Sequence, residues 1–245
     1  MHDCIGDDAV ELMTSIPDQL PLAIQLPDDE TFASFWLGGK EAAVSSLQQG
    51  LNADSGGFLY LWGQSGSGKS HLLHAAMNWC ASCHQLSSYI PLQHSNQLSP
   101  EMLDGLEQMH LVCLDNIDMI AGDMRWEEAI FDLFNRIKEQ GRLLVITASA
   151  AARHVNIELP DLMSRLDWGT SYQLSSPGDD EKLSILQLRA NARGLVLSDD
   201  AGRFLLHRAS RGMSELWQTL ARLDTASMAA QRKLTIPFIK EVLGY

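Results

Sequence analysis

Several things are scarce in this sequence, and each scarcity excludes something. No stretch of its 245 residues is apolar for long enough to cross a bilayer, and no cleavable apolar segment opens the chain. Neither a membrane protein nor a secreted one is expected, and the chain reads as cytoplasmic. Cysteine is sparse: Cys4, Cys80, Cys83 and Cys113 do not make a disulfide framework at this length. Cys80 and Cys83 form a C-x-x-C late in a predicted helix, without the second pair that a zinc site requires, and read as small packing residues. Positive charge is also short, with 18 Lys and Arg against 31 Asp and Glu, a net charge of -13 and a pI near 4.9. Such a molecule repels nucleic-acid backbones and anionic membranes, so any DNA contact must be local or borrowed. The deficit is uneven. From Pro177 onward ten basic residues meet eight acidic ones, which leaves the acidity in the front part.

What is present is 45% apolar content, enough for one sizeable core with a small satellite domain. Pro17, Pro21 and Pro27 punctuate the start, ahead of an acidic "PDDE", and residues 1–25 read as a flexible leader. From Phe58 apolar runs alternate with amphipathic segments. Strands are expected at "FLYLW" (58–62), "SYIPL" (88–92), "HLVCLD" (110–115), "LLVITAS" (143–149) and "SYQL" (171–174). Helices are expected over 69–83, with Leu72, Leu73, Ala76 and Met77 inward, and over 126–141, with Ile130, Phe134 and Ile137 inward. Strands joined by helical crossovers imply a parallel sheet covered on both faces. After Pro177 the pattern becomes purely helical, in four segments, with Asp179 and Ser198 as expected N-caps and Gly194 and Gly212 as expected terminators. The expected organisation is an α/β base over 26–176 and a helical lid over 177–245.

The strongest local signal is "GQSGSGKS", Gly63 to Ser70. It follows a predicted strand and opens a predicted helix, the context that confirms a P-loop. Gly63, Gly66 and Gly68 let backbone N–H groups of the loop, Ser65 and Ser67 included, wrap phosphates. Lys69 would reach the β- and γ-phosphates, Ser70 would ligate Mg2+, and His71 follows in the first helical turn. Asp115, ending the apolar run "LVCLD", is the natural second metal partner, with Asp118 as a nearby substitute. The next residue is Asn116, whose amide accepts no proton at neutral pH. Slow or absent hydrolysis by this chain alone is therefore expected. His71 and His74 have metal-like spacing, but structural roles are expected for both. Phe35 and Trp36 are candidates for the neighbourhood of the base, or core aromatics.

The P-loop, the "LDNID" strand end, the polar strand "VITAS", the segment "LPDLMSRLDWG" and the all-helical tail together resemble the AAA+ P-loop NTPases of the DnaA initiator family, and most closely its regulatory branch. The resemblance runs from about Leu26 to Tyr245 and is carried also by "LPDDETFASFW" (26–36) and "AQRKLTIPFIKEVL" (230–243). It implies a partner of the initiator DnaA rather than an initiator, because no helix-turn-helix domain follows the lid. It implies that "SRLDWG" carries an arginine finger, Arg165, acting in trans on ATP bound by DnaA. Outside the family an arginine here would be assigned to a surface pair with Asp161 or Asp167. The family's sensor positions are altered. Thr147 and Ser149 are the candidates on the first sensor strand, and Ser214 stands where a lid arginine is expected, with Arg211 nearby. The implied ligand is a nucleotide, ADP foremost or ATP, with Mg2+, and the family's side-by-side association implies a homodimer.

Within the leader, "QLPLAI" resembles the peptide by which bacterial replication proteins bind the DNA polymerase III sliding clamp. Gln19 would satisfy hydrogen bonds at the pocket edge while Leu20, Leu22 and Ile24 supply apolar contacts. Clamp tethering would bring an acidic protein to DNA indirectly. Two other readings are open: a helicase-loader-type ATPase that binds single-stranded DNA, and a P-loop phosphotransferase.

Overall fold

A computed structural model of the chain describes residues 30–53, 56–208 and 212–245. The leader, with Gln19, Leu20, Leu22 and Ile24, lies outside the described residues, as does Arg211. The base is built from α1 (Glu41–Asn52), β1 (Gly57–Trp62), α2 (Lys69–Ser82), β2 (Ser87–Pro91), β3 (Leu111–Asp115), α3 (Met124–Glu139), β4 (Leu143–Ala148), α4 (Pro160–Trp168) and β5 (Thr170–Gln173). The lid follows as α5 (Asp179–Ala192), α6 (Asp199–Arg208), α7 (Met213–Ala230) and α8 (Ile236–Leu243).

The five strands form one sheet in the order β2-β3-β4-β1-β5, and every pairing is parallel. Every residue of β3 and β4 is buried, as continuous apolar runs require when helices cover both faces. One face packs Leu47, Leu72, Leu73 and Ala76 of α1 and α2 against Leu61, Cys113 and Val145. The other packs Ile130, Phe134 and Ile137 of α3 and Leu162 and Leu166 of α4 against Val112, Leu114 and Ile146. The lid has its own core, including Leu186, Leu205, Leu220 and Phe238. Because β3 and β4 lie side by side, their carboxyl ends bring Asp115 and Thr147 together, with β1 and its P-loop next in order.

The expected strands and lid helices are present, with shifts at their ends. Two base helices had not been expected. The first, α1, buries Ala43, Val44, Leu47 and Leu51. The second is α4, nine residues long, opened by Pro160 at its first turn and burying only Leu162 and Leu166. Asp179 does not cap α5. It is the first helical residue, and Glu181 reaches back to accept the Gly178 N–H at 2.8 Å. Ser198 does act at the start of α6, its hydroxyl accepting the Ala201 N–H at 3.4 Å. Gly194 follows α5 at φ +73°, and Gly212 stands at the N-cap of α7, with residues 209–211 outside the described residues. Cys80 is buried and Cys83 exposed.

Candidate functional site

Each part of the site arises from a local requirement of the chain. Gly63 passes so close to Leu174, the residue after β5, that a Cβ would lie 2.2 Å from the Leu174 carbonyl oxygen. Gly68 opens α2 at φ +99°, and a Cβ there would meet the Phe35 ring at 2.8 Å. Only glycine fits both positions. The P-loop therefore wraps the N-terminus of α2, where unpaired N–H groups and the helix dipole favour an anion. Lys69 is buried and folds back, donating from Nζ to the carbonyls of Gly63 at 2.6 Å and Gln64 at 3.1 Å. Burial lowers its pKa, partly countered by Asp115 and Asp118.

Asp115 is 1% exposed and fully engaged. Its Oδ2 accepts hydrogen bonds from Ser70 Oγ at 2.7 Å and Tyr89 OH at 2.8 Å, and its Oδ1 accepts from Thr147 Oγ1. Burial first, and then the Asp115 charge, push the Tyr89 phenol far above its usual range, so it stays a donor. Thr147 is buried, and its hydroxyl also accepts the Asn116 N–H at 2.9 Å. It buttresses Asp115. Ser149 instead lines the cleft, its N–H held by Asp118 Oδ1 at 3.0 Å. Asn116 adopts left-handed backbone geometry, φ 63°, and its amide donates to Gln93 Oε1 at 3.3 Å.

The cleft over the P-loop has a volume of about 540 Å³. Its base-domain wall includes Ser65, Gly66, Ser67, Gly68, Lys69, Ser70, His71, Asn116 and Asp118, and its lid wall Ile185, Arg189, Met213 and Trp217. Phe35 and Trp36 line it as well, and Phe35 is at the same time a core residue. Met213, first residue of α7, lies against Gly66. Ser214 follows it, and only the backbone of Ser214 is described.

Sequence reasoning missed the contacts that join lid to base. Arg189 of α5 lies 3.4 Å from Glu30 Oε1 and 4.3 Å from the Trp217 ring centroid. Glu30 Oε2 is 2.6 Å from His74 Nδ1. Burial alone would raise the Glu30 pKa, but the His74 hydrogen bond and the charges of His71, His74 and Arg189 hold it below the ordinary value. His71 meets the Thr31 carbonyl at 3.1 Å and the edge of Phe35. Burial lowers its pKa. Both histidines thus fasten α2 to the segment at Glu30–Thr31. No local pattern marks these contacts, since Glu30 and Arg189 are 159 positions apart.

Arg165 does not line this cleft. It is half-buried on α4, its guanidinium 5.8 Å and 6.0 Å from the rings of Phe134 and Phe131. The surface pairs considered for it are not formed: Asp167 is taken by Arg153 at 2.8 Å, and Arg165 has no ion pair among the described residues. The start of α4 is fastened by a buried carboxylate from the first turn of α3. Glu127 is 0% exposed and accepts N–H bonds from Gly122 at 2.7 Å, Glu158 at 2.9 Å and Leu159 at 2.7 Å.

Comparison with known proteins agrees with this geometry. Residues 26–173 match the family described as the bacterial DnaA ATPase domain, and residues 179–243 match the one described as the Hda lid domain. The fold is similar to domain III of the Thermotoga maritima replication initiation protein DnaA, with a TM-score of 0.75 at 19% identity, covering 89% of this chain and 97% of that one. AMPPCP-bound DnaA from Aquifex aeolicus gives 0.68 at 18%, covering 84% and 68%. The Thermotoga maritima RuvB branch migration motor gives 0.61 at 14%, covering 84% and 69%. No helix among the described residues is long and apolar enough to cross a membrane. With the ATPase-domain match covering more than half of the chain and the Hda match spanning the helices that close over the P-loop, the chain belongs to the DnaA-homologous AAA+ family, Hda type.

Proposed function

We propose that this DnaA-related AAA+ regulator holds a nucleotide in its own cleft and stimulates hydrolysis of ATP bound to the initiator DnaA, converting it to the ADP form and restraining replication initiation. The observation that carries this reading is the position of Arg165, outside its own cleft and without an ion-pair partner among the described residues. Such an arginine is available to stabilise charge on a γ-phosphoryl group in another subunit. Asn116 supports the same division of labour, because its amide is bonded to Gln93 and accepts no proton.

In the chain's own cleft the P-loop amides and Lys69 would hold the phosphates, and with Ser214 at the lid's sensor position and Thr147 bound to Asp115 a diphosphate would suffice as the ligand. ADP is thus the favoured ligand. Ser70 and Asp115 present adjacent hard oxygen donors, a set that suits Mg2+, which would neutralise phosphate charge when bound. Lys69→Ala removes the buried cation from the loop and is expected to weaken ADP binding by about 30-fold or more in isothermal titration. Unchanged affinity would show that the nucleotide is held elsewhere.

The leader peptide Gln19-Leu20-Pro21-Leu22 would tether the protein to the sliding clamp in the cytoplasm, with DNA reached only through the clamp. Substitution of Gln19 and Leu22 by alanine is expected to abolish clamp pull-down while ADP affinity stays constant, and retained pull-down would remove the clamp from the proposal. The central experiment mixes the protein, clamp loaded on DNA and ATP-bound DnaA, and follows ATP hydrolysis. Stimulation that requires DnaA supports the regulator. Hydrolysis by this chain without DnaA would instead indicate an autonomous ATPase of the helicase-loader kind. A homodimer formed by side-by-side association belongs to the same proposal, and sedimentation of the ADP-bound chain tests it.

A further inference from the structure

The last turn of α4 carries Trp168, 64% exposed and outside all three apolar cores. It is braced from one side. Lys138, in the last turn of α3, places its Nζ 4.3 Å from the centre of the Trp168 ring. Ser164, Arg165, Asp167 and Trp168 together line a shallow depression of about 350 Å³. Arg153 is fixed at its edge by bonds of 2.8 to 3.1 Å to both Asp167 oxygens. In a chain of net charge -13, Arg165, Lys138 and Arg153 make this a locally cationic face around an aromatic side chain.

An indole that is already braced offers a large contact area with little side-chain freedom left to lose, the property shared by the residues that dominate protein interfaces. The charges then narrow the occupant. A surface seated here must bring an anion to Arg165 and an apolar flat to Trp168, while tolerating the carboxylate of Asp167. A phosphate-bearing nucleotide at the rim of a folded domain meets all three conditions. A single nucleic-acid strand would also stack on an indole, but a molecule of net charge -13 repels a continuous phosphate backbone.

We infer that Trp168, braced by Lys138, is the anchoring contact through which this face docks on the rim of an ATP-bearing DnaA-type base. Trp168 sets the affinity for that partner, and Arg165, one turn earlier on the same helix, sets the rate. This rests on the reading of Arg165 as acting in trans.

The test titrates the wild-type chain of 245 residues, Trp168→Ala, Trp168→Phe and Arg165→Ala into ATP-loaded DnaA with clamp on DNA, and reads half-stimulating concentration and maximal rate separately. Trp168→Ala should raise the half-stimulating concentration about tenfold or more, with the maximal rate and melting temperature retained, and Trp168→Phe should recover most of the loss. Arg165→Ala should lower the maximal rate instead. An unchanged half-stimulating concentration in Trp168→Ala beside a maximal rate lost in Arg165→Ala overturns the anchor and leaves the proposed function standing. If Arg165→Ala behaves as wild type, the trans reading itself fails. Tryptophan quenching by single-stranded DNA that disappears in Trp168→Ala would overturn the assignment of a protein partner.

Discussion

Replacing Arg165 by alanine is expected to reduce the stimulated hydrolysis of DnaA-bound ATP by about a thousandfold, the lower end of what an arginine supplied in trans contributes to phosphoryl transfer. The variant should fold normally. Arg165 is half-buried, pairs with no carboxylate among the described residues, and meets the Phe131 and Phe134 rings at 5.8 to 6.0 Å, so the stability cost should be of the order of a surface substitution, about 0.5 kcal/mol. Arg165→Lys keeps the charge without the planar fork, and should recover only part of the rate. Single-turnover hydrolysis by a fixed amount of ATP-loaded DnaA measures the effect, and a rate equal to wild type would refute it.

Glu127→Ala is expected to destabilise the base by about 3 kcal/mol or more, because truncation leaves buried N–H groups without their charged acceptor. The carboxylate joins three pieces of chain. It caps the loop at Gly122 that follows Asn116, and holds Glu158 and Leu159 immediately ahead of α4, from its own place in the first turn of α3. The N-terminal end of that helix favours its charge. Loss of Glu127 should therefore loosen the seat of Arg165 as well as lower the melting temperature. Urea denaturation measures the stability loss, and hydrogen exchange at the Glu158 and Leu159 amides measures the loosening. A variant with wild-type stability would show that water replaces the carboxylate at no cost.

These two residues differ in how far the sequence reveals them. Arg165 is visible because "SRLDWG" resembles a family segment, although its freedom from Asp167 depends on Arg153, which engages that carboxylate from 14 positions earlier in the chain. Glu127 is not visible. It reads as an ordinary acid at the start of an amphipathic helix, and its complete burial follows from loops as far as 32 positions distant. Helix α1 was present as a pattern, with Ala43, Val44, Leu47 and Leu51 at helical spacing, but its serines, glutamines and Gly50 diluted the signal. Helix α4 is too short for periodicity to establish, and Pro160 and Gly169 were its only local marks.

By itself the sequence determined what depends on neighbours in the chain: the P-loop, whose glycines and lysine act within one turn, the continuously apolar β3 and β4, and the 3.6-residue periodicity of the lid. Tertiary structure alone decided the rest. Parallel pairing of β3 with β4 brings Thr147 to Asp115, closure of the lid brings Arg189 to Glu30, and packing of α4 on α3 turns Arg165 and Trp168 away from the chain's own cleft. Such contacts carry no local signature, because each joins side chains whose separation along the chain is set by the route of the fold rather than by the period of any helix or strand.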